Sequence, residues 1–264
     1  MHELPLLIFT LFLQGSVGVT LWLVRGGAQA SPRNALLPAA GAFVLACLGL
    51  LASTLHMGYP LNALNALRHV SSSWLSREIV FASLYLAALG LATLLMFAKK
   101  PGWKPLLAVA GLVGLVDVFC MAQIYIHTSV VTWQHINTLV LFIGSVGIIG
   151  SACVAVGAPS RINLRAAVVI ITLLVLVLVR LVMQPVWLAD ITAMDNTVVT
   201  FPHAPLRMLE QLRTVHLLSW CVSVAGMLCF AAGGLKAARG PVLLGSALLI
   251  VGELMLRFVF FSIG

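Results

Sequence analysis

Residues 166–188 read AAVVIITLLVLVLVRLVMQPVWL, an apolar run interrupted by a single charge, Arg180. An α-helix needs about 20 such residues to cross a hydrocarbon core about 30 Å thick. Runs of this length recur at 5–24, 37–57, 77–97, 105–126, 136–157, 213–233 and 241–262, so the chain reads as eight spans. Turn-like stretches separate them: Ser31-Pro32-Arg33-Asn34, Lys99-Lys100-Pro101-Gly102, Ala158-Pro159-Ser160-Arg161 and Arg239-Gly240-Pro241. Only 8% of the 264 residues are charged and 61% are hydrophobic. A soluble domain carries about 25% charged residues. Strand-type alternation is missing, which excludes a barrel. The expected fold is all-α, a polytopic bundle of eight transmembrane helices forming one integral-membrane domain over 1–264.

A net charge of +8 in a soluble protein would point to nucleic acid. Here the basic residues fall in short loops, where they orient spans. Arg25, Arg33, Lys99, Lys100, Lys104, Arg161, Arg165, Lys236 and Arg239 all lie in the first, third, fifth and seventh connections, with no acid among them. The opposite face carries Arg68, Arg77, Arg207 and Arg213, offset by Glu3, Glu78, Asp190, Asp195 and Glu210. This bias places both termini on the outer face and the basic loops in the cytoplasm. Met1-His2-Glu3 lacks a basic n-region, which argues against a cleavable signal peptide. All seven histidines then map to the outer face or its rim. The halves 1–126 and 136–262 each hold four spans with a long outer loop between, a faint hint of duplication without a residue-level repeat.

The five cysteines lie in apolar spans and form no Cys-x-x-Cys or Cys-x-x-Cys-His pattern, so no cluster or covalent haem is encoded. The chemistry-bearing stretch is Leu55-His56-Met57-Gly58-Tyr59-Pro60 followed by Leu75-Ser76-Arg77-Glu78. His56 ends one span and Glu78 opens the next, on the outer face. Each has an ordinary structural reading. His56 suits an interfacial histidine bonded to a backbone carbonyl, and Glu78 a carboxylate complementing a helix N-terminal dipole by roughly 0.3–1 kcal/mol. Their conjunction suits a proton-taking pair. A quinol lives in the bilayer and releases two protons with its two electrons, and imidazole, with an ordinary pKa of about 6.5, accepts protons near neutrality. Gly58 and Pro60 turn the chain after His56, and Tyr59, Asn65, Arg68 and His69 are at hand to complete a pocket.

Other charges sit within spans. Glu253 and Arg257 are four apart, share a helical face and are expected to pair, since a lone charge at mid-bilayer costs about 2.5–3.5 kcal/mol. Asp117 and Arg180 also need partners. Tyr125, Trp133, Trp74 and Trp187 read as interfacial belt residues. His216 opens the seventh span and is positioned to face His56 across the bundle.

His2-Glu3, Pro5-Leu6, Leu55-His56 with Gly58 and Pro60, Asn65, Leu75-Ser76, Glu78-Ile79, Tyr125, Thr132-Trp133 and Gly252-Glu253-Leu254 with Arg257 follow in an order that resembles the membrane-anchor subunit of the dimethyl sulfoxide reductase family of molybdoenzymes. The resemblance extends over essentially the whole sequence. It implies an anchor that binds and oxidises menaquinol at a pocket of His56, Gly58, Tyr59, Pro60, Arg68 and Glu78, with His56 and Glu78 handling protons. It implies an iron-sulfur electron-transfer subunit and a molybdopterin catalytic subunit as partners in a heterotrimer, with Fe-S clusters and molybdopterin held there and no metal or haem in this chain. Tyr59 and the Arg68-His69 pair depart from the family pattern. Rival readings are a haem b quinol oxidoreductase using His56 and His216 as axial ligands, a small-molecule transporter built on Asp117, Arg180 and the Glu253/Arg257 pair, and an anchor with no redox role.

Overall fold

The structure, a computed structural model, describes residues 4–26, 31–55, 65, 67–156, 166–194 and 205–263. Among them there is no strand. The helices are α1 (Leu4–Gly26), α2 (Pro32–Leu55), α3 (Trp74–Phe97), α4 (Trp103–Ile126), α5 (Ile136–Val156), α6 (Ala166–Met194), α7 (Pro205–Gln211), α8 (Arg213–Leu235) and α9 (Arg239–Ile263). All but the short α7 are long and apolar enough to cross a bilayer. Short 3-10 turns at Leu67–His69 and Val131–Trp133 lie in the connections.

Several helix ends lie further out than the apolar runs suggest, and local chemistry explains why. The Ser31 carbonyl accepts from the backbone N–H groups of Asn34 and Ala35, so α2 starts at Pro32. A proline with no N–H suits the first helical position. The Ser73 hydroxyl accepts from the Ser76 N–H at 3.4 Å and starts α3 at Trp74. α6 runs through Pro185 to Met194, past the expected end at 188, and brings Asp190 to 2.9 Å from His135 Nε2. Between α3 and α4, Lys99 and Gly102 take left-handed φ of 54° and 95°, the second a geometry suited to glycine.

Two sets of four helices, α1–α4 and α5, α6, α8, α9, share one packing pattern. α1 packs on α2 and α4, α2 on α3, and α3 on α4; likewise α5 packs on α6 and α9, α6 on α8, and α8 on α9. The sets join chiefly through α1 on α5, flanked by α4 on α5 and α1 on α9. Exchanging the halves therefore leaves the pattern unchanged. Gly18 and Gly150, each fifteenth in its helix, meet at that seam. A Cβ on Gly18 would lie 2.8 Å from the Gly150 Cα and overlap the Val146 carbonyl. Such backbone approach is how small residues let membrane helices pack. The four-plus-four arrangement hinted at in the sequence is thus repeated in the packing of the helices.

Candidate functional site

Glu78 lies one turn inside α3, since the Ser73 cap starts the helix four residues earlier. It is 6% exposed, so it does not serve the helix terminus as a dipole-complementing carboxylate would. The adjacent cation is turned away. Arg77 donates from Nε to the Val70 carbonyl at 2.9 Å and from Nη2 to the Ser71 carbonyl at 2.6 Å, and its guanidinium lies 4.2 Å from the Trp74 ring centre. No hydrogen bond or ion pair to Glu78 occurs among the described residues.

Behind Glu78, α4 brings in Asp117, which is 0% exposed and has neither carboxyl oxygen hydrogen-bonded among the described residues. The two carboxyls interact electrostatically, and Cys120, three residues along α4, interacts with both. Below them the Tyr85 hydroxyl is tied to Ser16 Oγ at 2.6 Å and Thr20 Oγ1 at 3.0 Å, while Ser16 donates to the Ala42 carbonyl at 2.6 Å. These bonds clamp α1, α2 and α3 together. Gly114 makes room for the ring, since a Cβ there would lie 2.8 Å from Val17 and 3.0 Å from Tyr85.

The other half holds a satisfied counterpart. Glu253 on α9 forms an ion pair with Arg180 on α6 and accepts from Ser145 Oγ at 2.6 Å. Arg180 also donates to the Leu141 carbonyl. Arg257 instead donates to Gln14 Oε1 at 2.7 Å and Ser145 Oγ at 3.0 Å, with its guanidinium 4.1 Å from the Phe142 ring centre. The expected pairing of Glu253 with Arg257 is therefore corrected. The bidentate-capable Arg180 reaches Glu253 from a neighbouring helix, and Arg257 turns toward α1.

Two small cavities adjoin this cluster. One of ≈ 30 Å³ is bounded by Thr132, Asn137, Gln184 and His216, and one of ≈ 10 Å³ by Ser145, Arg180, Glu253 and Arg257. They share the walls Leu141, Leu256 and Phe260. Among the described residues, Thr132 Oγ1, Asn137 Oδ1, Arg180 Nε and Arg257 Nη1 have no hydrogen-bond partner. A cavity needs about 10–15 Å³ to hold a water, so these spaces are of water size and border polar atoms without a partner among the described residues.

A model of the family described as DMSO reductase anchor subunit (DmsC) matches residues 1–263. The protein belongs to that family. It is 36% identical over 157 residues to the C chain of the anaerobic dimethyl sulfoxide reductase of Escherichia coli K12, a match over 54% of this sequence and 55% of that one. To the protein of the same name from Haemophilus influenzae it is 31% identical over 150 residues, a match over 52% of each. These matches span about half the length of either relative. The YnfH chain of the anaerobic dimethyl sulfoxide reductase of Escherichia coli K12 matches 99% of this sequence and 95% of its own at 26% identity. No solved structure matches. Eight apolar helices and the family together make this a multi-pass protein of the bacterial inner membrane.

The anchor's sequence-derived site residues divide sharply. His56, Gly58, Tyr59 and Pro60 lie outside the described residues. Arg68 and His69 are exposed in the 3-10 turn after them, and Asn65 is exposed as well. Glu78 alone of the pocket residues is seen buried. His216 accepts from Trp220 Nε1 at 3.1 Å, lies 3.2 Å from Gln184 and packs against Trp187, while His56, which it is expected to face, lies outside the described residues. Among the described residues no three His, Cys, Asp or Glu gather as a metal site. The belt reading of Tyr125, Trp133 and Trp187 is also corrected. Trp133 donates to the Phe260 carbonyl at 2.9 Å and Trp187 to the Thr132 carbonyl at 3.1 Å, while buried Tyr125 packs against Trp133, Phe142, Phe260 and Phe261. These rings point inward because the short connection at 127–135 needs anchoring to α6 and α9. Sequence reasoning missed the pinning role. The adjacent Phe260-Phe261 pair held its signal.

Proposed function

We propose that this anchor subunit binds menaquinol near its outer face and oxidises it, with His56 and Glu78 taking the protons and the electrons leaving to an iron-sulfur subunit. His56 accepts a hydrogen bond from one quinol hydroxyl and then its proton. Glu78 passes protons outward. Gly58, Tyr59, Pro60 and Arg68 line the pocket. Both termini face the periplasm, so the site lies beside the docked iron-sulfur subunit, which in turn serves a molybdopterin catalytic subunit in a heterotrimer. The observation that carries the reading is Glu78 itself. It is a buried carboxylate one turn from a helix end, its neighbouring arginine engaged elsewhere. A structural carboxylate at that depth would be expected to hold a cation or donors, because an unpaired buried charge is costly. One with no hydrogen bond or ion pair among the described residues suits a group that gains and loses protons. In the assembled complex, His56→Arg and Glu78→Gln should each abolish quinol-dependent electron entry while leaving assembly intact. Normal oxidation of a menaquinol analogue by the His56→Arg complex would sink the proposal.

A further inference from the structure

The most anomalous group in the described structure is one that the proposed reaction does not yet use. Asp117 is fully buried, lies nine residues before the end of α4, and so sits about 14 Å in from that end at 1.5 Å per residue. That is close to the middle of a core about 30 Å thick. Its equivalent in the other half is instructive. Glu253, ten residues before the end of α9, lies at the same depth and has Arg180 and Ser145 to hold it. Asp117 has no cation and no donor among the described residues. Two carboxyls thus occupy matching depths of one helix arrangement, one fixed in a charged network and the other left open.

The surroundings of Asp117 favour proton traffic over charge pairing. The ionisable groups that interact with it are Glu78 and Tyr85 on α3 and Cys120 on α4 itself. Tyr85 is committed to Ser16 and Thr20. Arg77, the basic residue beside Glu78, is committed to Val70 and Ser71. α1 offers Gln14, whose amide donates to Met121 Sδ and whose carbonyl oxygen accepts from Arg257. α5 has no charged residue. An isolated carboxyl in this setting is stable only while a proton is shared with it, and the carboxyl that interacts with it is Glu78, on the adjacent helix α3 and one turn from its start.

We propose that Glu78 and Asp117 form a two-carboxyl proton acceptor, Glu78 its outlet and Asp117 its inner member. The assignment rests on the menaquinol reading above and extends it. Oxidation of one quinol breaks two O–H bonds and releases two electrons and two protons. The electrons go to the iron-sulfur subunit, and His56 takes one proton, which it gives up to water at the outer face before the next turnover. The carboxyl pair, which enters the turnover holding one proton, takes the other and leaves holding two. Glu78 then discharges to water at the start of α3, and the pair returns to one proton. The negative charge on the pair before turnover favours arrival of a proton and disappears once it is taken up.

The test is an infrared pH titration of the complete complex in membrane vesicles, without quinol, following the C=O stretch of protonated carboxyls and its shift in heavy water. The wild type should show one such band that gains intensity on acidification. Isosteric Asp117→Asn should remove the resting band, and Asp117→Glu should restore it. With a menaquinol analogue, Asp117→Asn should bind it unchanged but oxidise it roughly 100-fold more slowly, with Asp117→Glu recovering most of the rate. A titration in Asp117→Asn identical to the wild type overturns the carboxyl pair, whatever the fate of the quinol reading. Full oxidation by the His56→Arg complex overturns the quinol reading, while the titration still decides the pair.

Discussion

Removing Glu253 should destabilise the protein more than removing its partner Arg180. Three charged side chains, Arg180, Glu253 and Arg257, converge on Ser145 with one carboxylate between two guanidinia. In Glu253→Gln both arginines stay buried with no anion, one of them already lacking a partner at Nη1. Breaking a buried pair by removing one partner costs about 3–5 kcal/mol, and mutual repulsion of the arginines puts this case at the upper end. In Arg180→Met, by contrast, Glu253 keeps Ser145 and has Arg257 four residues along the same helix, within reach of a rotamer change. The expected cost is about 1–3 kcal/mol, the remainder after Arg257 takes over. The double variant Arg180→Met/Glu253→Gln leaves one guanidinium, already bonded to Gln14 and stacked on Phe142, and should be more stable than Glu253→Gln alone. Denaturant unfolding in detergent micelles, read by circular dichroism, gives the three values. The reverse order, with Arg180→Met the worse single variant, would refute the reasoning, since Arg257 would then be unable to replace Arg180.

Two further outcomes follow from the packing. Gly18→Val should separate the two halves, because a Cβ already overlaps the Val146 carbonyl and crowds Gly150, and a cysteine pair engineered across the α1–α5 seam should then cross-link poorly while pairs within either half still form. Trp133→Phe keeps the ring stacked on Phe260 but loses the 2.9 Å bond to the Phe260 carbonyl, so it should cost about 1 kcal/mol in the same unfolding assay and leave helix content unchanged.

What the sequence made legible follows from how strongly a bilayer constrains it. Span number and helix type come from apolar run length, because lipid leaves no other way to satisfy a backbone at that depth. Helix ends were less legible. Ser31 and Ser73 start α2 and α3 through side-chain and backbone hydrogen bonds that hydropathy does not register. Pro185 did not end α6, because a spanning helix tolerates proline where a neighbouring helix supports it. The pairing of charges was the least legible part. Four-residue spacing places Glu253 and Arg257 on one face, yet the choice among partners belongs to helices more than 70 residues away in sequence. Arg180 comes from α6 and Gln14 from α1, and the order in which helices pack decides both. The same limit hid the orphan state of Asp117, which is defined by what three neighbouring helices fail to offer it.

The two halves also bear on the proposed proton exchange at Glu78 and Asp117. They share a helix arrangement, glycines at matching seam positions and a carboxyl near mid-membrane on the fourth helix of each set. They differ in what surrounds that carboxyl. Arg180 and Arg257 fill the second half with charge, and the unpartnered atoms of Thr132, Asn137, Arg180 and Arg257 border cavities of water size. A carboxylate locked to arginine is a poor proton carrier, because protonating it forfeits the ion pair. The first half has no arginine at the equivalent depth, and its polar core ends in the Tyr85–Ser16–Thr20 clamp. The ion-paired carboxyl therefore lies on one side of the α1–α5 seam, and the carboxyl without a partner among the described residues, to which the proton exchange is assigned by proposal, on the other. Moving an arginine into the first half, as in Ala82→Arg one turn beyond Glu78, should convert it to the locked kind: the Asp117 carboxyl band should vanish because the acid ionises, and quinol oxidation should stop while the complex still assembles. Retention of both the band and the rate would show that pairing does not separate the halves.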